Sequence, residues 1–319
     1  MSDKLAFRFF MGMIFLGFFV LAFVLLMPEQ WIKNIKGQHE SPPVAVQALN
    51  ISAQSDLKAL LDPLLTAFKA NHQAVSIAAK YADKDQLLAD LSSGKTHLIC
   101  LPTDLTTAEI QTLEQQSLSV SQQRMALDAP VFIIHSSNVN DKATRQQLQS
   151  LLTGSTEAWP LAFEGTEQAI QLVFDDHSDA AWLQHLSQDI CAGEALLKSE
   201  MPISSTESVA QFVVDNVNAV GILHFSEWTQ VKSAYPLVVA MQLEQEGGNQ
   251  FVAPEASAIA QKSYPFIREF YLIQSSGASS LEDAFISFMT SVEGQKAVAE
   301  TGMTPASALL KKVALNTSH

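Results

Sequence analysis

From Phe9 to Met27 the chain carries no charge, and nearly every residue is large and apolar. A bilayer core of ~30 Å is crossed by about 20 helical residues. A cleaved leader has an apolar core of only about 7–15 residues and a small-x-small cleavage site. This run instead ends Leu25-Leu26-Met27-Pro28-Glu29, and no cysteine lies near it to take a lipid. The expectation is an uncleaved single-pass anchor over 9–27, behind a short tail at 1–8. Lys4 and Arg8 precede the span and Lys33 and Lys36 follow it, so charge asymmetry says little about orientation. Trp31 stands where an interfacial aromatic is expected. A long C-terminal domain behind an N-terminal span is most simply read as exported. Residues 28–43 are mainly polar and end in Pro42-Pro43, as a linker does.

The remainder suits one large domain or two smaller lobes. Asp and Glu outnumber Lys and Arg by 33 to 19. That excess argues against nucleic acid, whose phosphates need a basic footprint, and against docking on anionic lipid. A small anion is still admissible, because neutral dipoles can hold one locally. Cys100 lies in the apolar run Leu98-Ile99-Cys100-Leu101 and reads as core; its pairing with Cys191 stays open. No Cys/His cluster has zinc spacing, and no Gly-x-Ser-x-Gly, Walker loop or His-Glu-x-x-His occurs. The expectation from these residues is no cofactor, no metal and no enzyme activity. His135, His185 and His224 read as surface or core, Trp182 and Trp228 as packing, and Asp128 as a hinge-stabilising acceptor.

Strand-like and helix-like stretches alternate along the chain. Residues 45–51, 75–81 and 97–101 are β-like. Leu57, Leu60, Leu61, Leu64, Leu65 and Phe68 recur at helical spacing, and 85–91 and 108–115 read as further helices. This order predicts a mostly parallel sheet covered by helices. The pattern restarts with a strand at 130–135, a helix over 142–152 closed by Gly154, and a short strand at 161–163. Helical stretches then run to about 197. Residues 208–215 read as helix, 219–225 and 237–243 as strands, 264–273 as extended, and 281–301 as a strong helix.

Four stretches carry a resemblance. Met125-Ala126-Leu127-Asp128-Ala129-Pro130-Val131-Phe132-Ile133-Ile134-His135 leads to a helix and a turn from Gly154 to Trp159. Glu207 to Ile222 ends in Ala219-Val220-Gly221-Ile222. Ser263-Tyr264-Pro265-Phe266-Ile267-Arg268-Glu269-Phe270-Tyr271 follows. The last is Phe285-Ile286-Ser287-Phe288 with Ser291-Val292-Glu293-Gly294-Gln295, then Gly302-Met303-Thr304-Pro305. In their order and spacing these resemble the phosphate-binding proteins of bacterial phosphate ABC transporters. The resemblance implies an α/β type II periplasmic-binding-protein fold with two lobes, two crossing segments and a cleft between them. Lobe one would be 44–126 plus 236–312 and lobe two 127–235, with crossings near 127–130 and 229–237 and a C-terminal tail at 313–319. It also implies an inner-membrane location with the domain in the periplasm.

Such proteins hold phosphate with helix N-terminal amides, hydroxyls, an arginine and a carboxylate. Carried over residue by residue, the resemblance gives Ser52 and Ser55 in the first loop, Thr103 in the second and Ser178 in the third, with Arg268 as the candidate arginine. The departures are specific. The second loop, Leu101-Pro102-Thr103-Asp104-Leu105, lacks the usual arginine. Asp179 and Ala180 stand where two donors are usual, and Asp175 and Asp176 add negative charge. Of the four arginines, Arg8, Arg124, Arg145 and Arg268, none lies between 145 and 268. Two expectations follow. One is a membrane-anchored receptor for phosphate or a related oxyanion, delivering it to a membrane transporter. The other is a ligand-free accessory subunit of an inner-membrane protein complex.

Overall fold

The computed structural model describes residues 48–155, 169–174, 180–197, 199, 203, 205–248 and 250–306. Strand β1 (Ala48–Gln54) runs into a 3-10 turn (Ser55–Leu57) and helix α1 (Lys58–Asn71). Helix α1 buries Leu60, Leu61, Leu64, Leu65 and Phe68, the stripe its spacing foretold. Strand β2 (Ser76–Ala82), helix α2 (Lys84–Ser92), strand β3 (Leu98–Leu101) and helix α3 (Thr107–Gln115) follow. Asp83 caps α2, and Thr106 with Glu109 forms a capping box on α3.

Strand β4 (Val120–Asp128) ends where β5 (Pro130–His135) begins, and the chain passes from the first lobe to the second at Ala129. The second lobe continues with β6 (Lys142–Ala143), α4 (Arg145–Thr153), β7 (Gln171–Val173), α5 (Ala180–Asp189), α6 (Thr206–Asp215), β8 (Ala219–His224), α7 (Phe225–Val231) and β9 (Val238–Ala240). Gly154 closes α4 in the left-handed region, at φ 75°. Strands β10 (Gln242–Glu244) and β11 (Phe251–Val252) and helix α8 (Ala256–Ala260) come next. Strand β12 (Arg268–Ser275) then re-enters the first lobe, followed by α9 (Ser280–Thr290), α10 (Val292–Glu300) and β13 (Thr304–Pro305).

The first lobe is built on a sheet of order β13-β4-β12-β3-β1-β2, and the second on one of order β7-β8-β5-β9, with a small sheet β11-β10-β6 beside it. Each lobe has its own apolar core. Leu49, Leu61, Phe68, Cys100 and Phe285 lie in one, and Phe132, Val173, Cys191, Val209 and Val220 in the other. Both cysteines are therefore buried in different lobes and both are free. Burial pushes the Cys100 thiol up, and raises Cys191 to about 11.

Several expectations need correction. The sheets are mixed, not mostly parallel. Strands β1, β2 and β3 pair in parallel, but β12 pairs antiparallel with both β3 and β4, because the chain returns to the first lobe in the opposite sense. Strand β4 went unread because its outer half, Val120-Ser-Gln-Gln-Arg124, is polar and partly exposed. The return crossing lies at Phe266–Arg268, not at 229–237. Residues 238–266, expected in lobe one, belong to lobe two: Ala240 pairs with Ile133, and Leu243, Ile259 and Tyr264 lie in the second core. An apolar strand reads the same whichever sheet it joins, so pairing alone decided this. The stretch 281–301 is two helices, broken at Ser291, whose extended backbone lets its side chain cap Gly294 N–H. The expected strand at 161–163 and Trp159 lie outside the described residues, as does the expected membrane span at 9–27. Among the described residues no helix is long and apolar enough to cross a membrane.

Candidate functional site: the cleft between the lobes

The C-terminal ends of parallel strands carry the ligand sites of open α/β sheets. Here the ends of β1 and β3 deliver Gln54, Pro102, Thr103 and Asp104 to one wall of a 630 Å³ cleft. Lys84, at the start of α2, and Ile267, Arg268, Glu269 and Tyr271, at the return crossing, complete that wall. The facing wall is one face of α5, with Gln184, His185, Gln188 and Asp189. Their spacing of one and four residues sets them on adjacent turns of the helix.

The charges in this cleft are largely matched within the protein. Arg268 donates to Asp56 Oδ2 at 2.6 Å, and both side chains are nearly buried. Lys84 pairs with Glu109 at 2.7 Å. Glu269 accepts from Arg124 at 2.9 Å and from the Tyr271 hydroxyl at 2.7 Å, and pairs with Lys262. Burial alone would raise the Glu269 carboxyl. Lys262, Arg124 and Tyr271 outweigh it and hold the group at about 2. Tyr271 is pushed up to about 12, chiefly by burial, then by Glu269, with Asp104 contributing. His185 Nδ1 lies 3.1 Å from Asp189, whose carboxyl is held low first by that contact. Arg145 donates to the Asp189 carbonyl and its guanidinium sits 5.0 Å over the Phe266 ring. Phe266 is left-handed at φ 58°, a conformation that costs a non-glycine residue about 1–3 kcal/mol, so the return crossing is held under strain.

Behind the cleft, at the first crossing, Asp128 is fully buried. Its Oδ1 accepts from the Ala129 and Ser226 N–H groups, and its Oδ2 from the Ser226 hydroxyl at 2.7 Å. His224 Nδ1 lies 3.5 Å from the same carboxylate. Burial would raise Asp128, yet His224 and these donors hold it low. The expected hinge acceptor is thus a knot joining the end of β4 to the start of α7. Trp182 stacks on His224 with ring centroids 3.9 Å apart and on His185 at 5.6 Å, linking the knot to the cleft wall.

Of the residues expected to bind, Thr103 and Arg268 line the cleft together. Ser52 and Ser55 do not. Ser52 is buried in β1, two residues short of the cleft residue Gln54, and Ser55 is exposed in the 3-10 turn. The predicted hydroxyl quartet is corrected to this extent: the strand extends to Gln54, three residues beyond the expected end, and brings an amide to the cleft. Ser178, with Asp175, Asp176 and Asp179, lies outside the described residues. The binding role of the α5 wall, Lys84, Ile267, Glu269 and Tyr271 went unread. The sequence signal available for α5 was the polar spacing Gln184, His185, Gln188, Asp189 on an otherwise apolar helix. Among the described residues no cluster suits a metal ion.

The relatives accord with this architecture. A protein described as a possible phosphate binding protein, from Planctomyces limnophilus, superposes with a TM-score of 0.68 at 16% identity, over 82% of this chain and 94% of that one. PstS from Borrelia burgdorferi gives 0.63 at 16% identity, over 82% and 100%. An ABC-type phosphate transport receptor from Vibrio cholerae gives 0.62 at 20% identity, over 80% and 98%. At such identities the likeness is one of fold. No curated protein matches the chain in sequence. The profile of the PBP superfamily domain, the periplasmic-binding-protein type, matches residues 37–293, and with two lobes closing on one cleft the chain belongs to that family.

Proposed function

We propose that this protein is a solute-binding protein of the ABC-transporter type, tethered to the bacterial inner membrane by residues 9–27 with its two lobes in the periplasm. Its cleft takes a small solute carrying an oxyanion, phosphate or a related group, for delivery to a membrane transporter. One observation carries the reading: Lys84, Thr103, Gln54 and Arg268 converge on a single cleft at the C-terminal ends of β1 and β3. Cations, a hydroxyl and an amide are the donors an oxyanion needs. The names of the structural neighbours, phosphate binding proteins and a phosphate transport receptor, favour the same ligand class.

A second reading is favoured by one feature, the matching of Arg268 by Asp56 and of Lys84 by Glu109. In it the cleft holds no solute and the protein is an accessory subunit of a membrane complex. Calorimetric titration of the full-length protein in detergent separates the two. The probes are inorganic phosphate and simple phosphate monoesters. Heat from any of them, weakened by Lys84→Met, supports the receptor. No heat from all of them, in a folded protein that cross-links to a membrane neighbour, supports the subunit.

A further inference from the structure

Among the described residues, the cleft wall carries two full cations, Lys84 and Arg268, against three carboxylates, Asp104, Asp189 and Glu269. Two of the three carboxylates are already engaged: Asp189 by His185, and Glu269 by Arg124, Lys262 and Tyr271. Asp104 differs. It is exposed to the cleft, and among the described residues its carboxylate makes no hydrogen bond and no ion pair. Its one internal hydrogen bond is through the backbone, where the Thr103 hydroxyl donates to its carbonyl at 2.7 Å. It stands close enough to Tyr271 to help raise that phenol. Among the described residues of the cleft, the charge left unmatched is therefore this one, and it is negative.

An inorganic oxyanion does not answer this. It brings negative charge to a wall whose described residues already sum to a negative charge, and inorganic phosphate near neutral pH has only one or two protons to offer in return. The size points the same way. At 630 Å³ the cleft falls within the ~300–1,000 Å³ typical of sites for organic ligands. Gln54, Gln184 and Gln188 add amides, each both donor and acceptor, from both walls.

Resting on the oxyanion reading above, we infer that the solute is a zwitterion, an oxyanion carried on a short organic body with an ammonium group that Asp104 receives. Lys84 can turn from Glu109 to the oxyanion end. The pair is partly exposed, at 28% and 25%, and pairs of that kind contribute only about 0–1 kcal/mol. The ammonium end then supplies the counter-charge that Asp104 lacks. The three Gln amides bridge the middle.

The test uses the full-length protein in detergent and three probes: phosphoethanolamine, ethyl phosphate and inorganic phosphate. Ethyl phosphate matches the first in shape and lacks only the amine. Wild type should bind phosphoethanolamine roughly two- to fivefold more tightly than ethyl phosphate, the scale of one partly exposed charge pair. Asp104→Asn, a surface change that leaves the cores intact, should erase the preference by weakening the first and strengthening the second. Equal affinities in wild type, or a preference that survives Asp104→Asn, overturn the inference. Tightest binding of inorganic phosphate also overturns it and leaves the oxyanion reading standing. Binding of none of the three overturns both.

Discussion

Arg268 and Asp56 meet at 2.6 Å with their side chains 5% and 9% exposed, joining the first residue of β12 to the turn that follows β1. One partner sits at the return crossing and the other in the acidic first turn before α1. The pair fixes the cleft's arginine against the strand end that supplies Gln54.

Removing one member of a buried pair strands the other, at about 3–5 kcal/mol. Asp56→Ala should therefore lower the thermal midpoint by roughly 6–20 °C for a domain of this size. Asp56→Asn, which keeps an acceptor for Arg268, should cost clearly less. Thermal melts of the two variants side by side check the order; equal losses would show that the charge is immaterial.

The Asp128–His224 knot gives a pH dependence with a defined sign. Burial would push His224 down, but Asp128 and Glu227 outweigh it and the net direction is up. A histidine raised in the folded state stabilises fully below its unfolded value near 6.5, and the contribution is lost as pH rises through the folded value. His224→Gln should thus be more damaging at pH 6 than at pH 9. Urea unfolding of wild type and variant at both pH values measures the difference. A gap that widens toward pH 9 would overturn the assignment.

Glu269 makes the opposite prediction at the acid end. Its carboxyl is held at about 2, against 4.5 unperturbed, by Lys262, Arg124 and Tyr271 despite burial. Its contribution is present above the unfolded value and is lost as pH falls from about 4.5 toward 2. Glu269→Gln should flatten the loss of stability in that window. Because Lys262 lies in the second lobe and Arg124 in the first, the variant should also speed amide exchange around Phe266. Identical acid limbs for wild type and variant would refute the role.

Gly221 tests the second core independently of the cleft. A Cβ there would stand 2.6 Å from Ile133 Cγ1 and 2.8 Å from Val209 Cγ1. Gly221→Ala should cost about 1–3 kcal/mol through overpacking. Combining it with Ile133→Val, which trims the opposing side chain, should recover part of the loss in a denaturation series.

Membrane tethering is checked on the intact chain. Carbonate-washed membranes should retain it at full length. Deleting residues 1–43 should release a soluble domain, and a soluble wild-type form starting near residue 28 would refute the anchor.

Much of the fold was legible because it is written in local periodicity. The stripe of α1 and the apolar run of β5 are properties of short segments, and each segment folds as it reads. The family motifs fixed the two-lobed plan in the same way, since Tyr264-Pro265-Phe266 and Gly302-Met303-Thr304-Pro305 keep their spacing in one dimension. Which lobe took residues 238–266 was not local. It followed from Ala240 pairing with Ile133, more than a hundred residues away in sequence.

The site was less legible, for the same reason. Sequence alone could place Thr103 after β3 and Arg268 after a Tyr-Pro motif, and both line the cleft. It could not show that β1 runs on to Gln54 and buries Ser52, because a strand's end depends on its neighbours, here Ser76–Ala82. Nor could it show that Asp56 closes on Arg268, since charge pairing is a matter of distance and burial, and neither is written along the chain. The sequence determined the two-lobed plan and pointed to Thr103 and Arg268; only the tertiary structure decided which other donors join them and which charges are matched, because both depend on distance and burial.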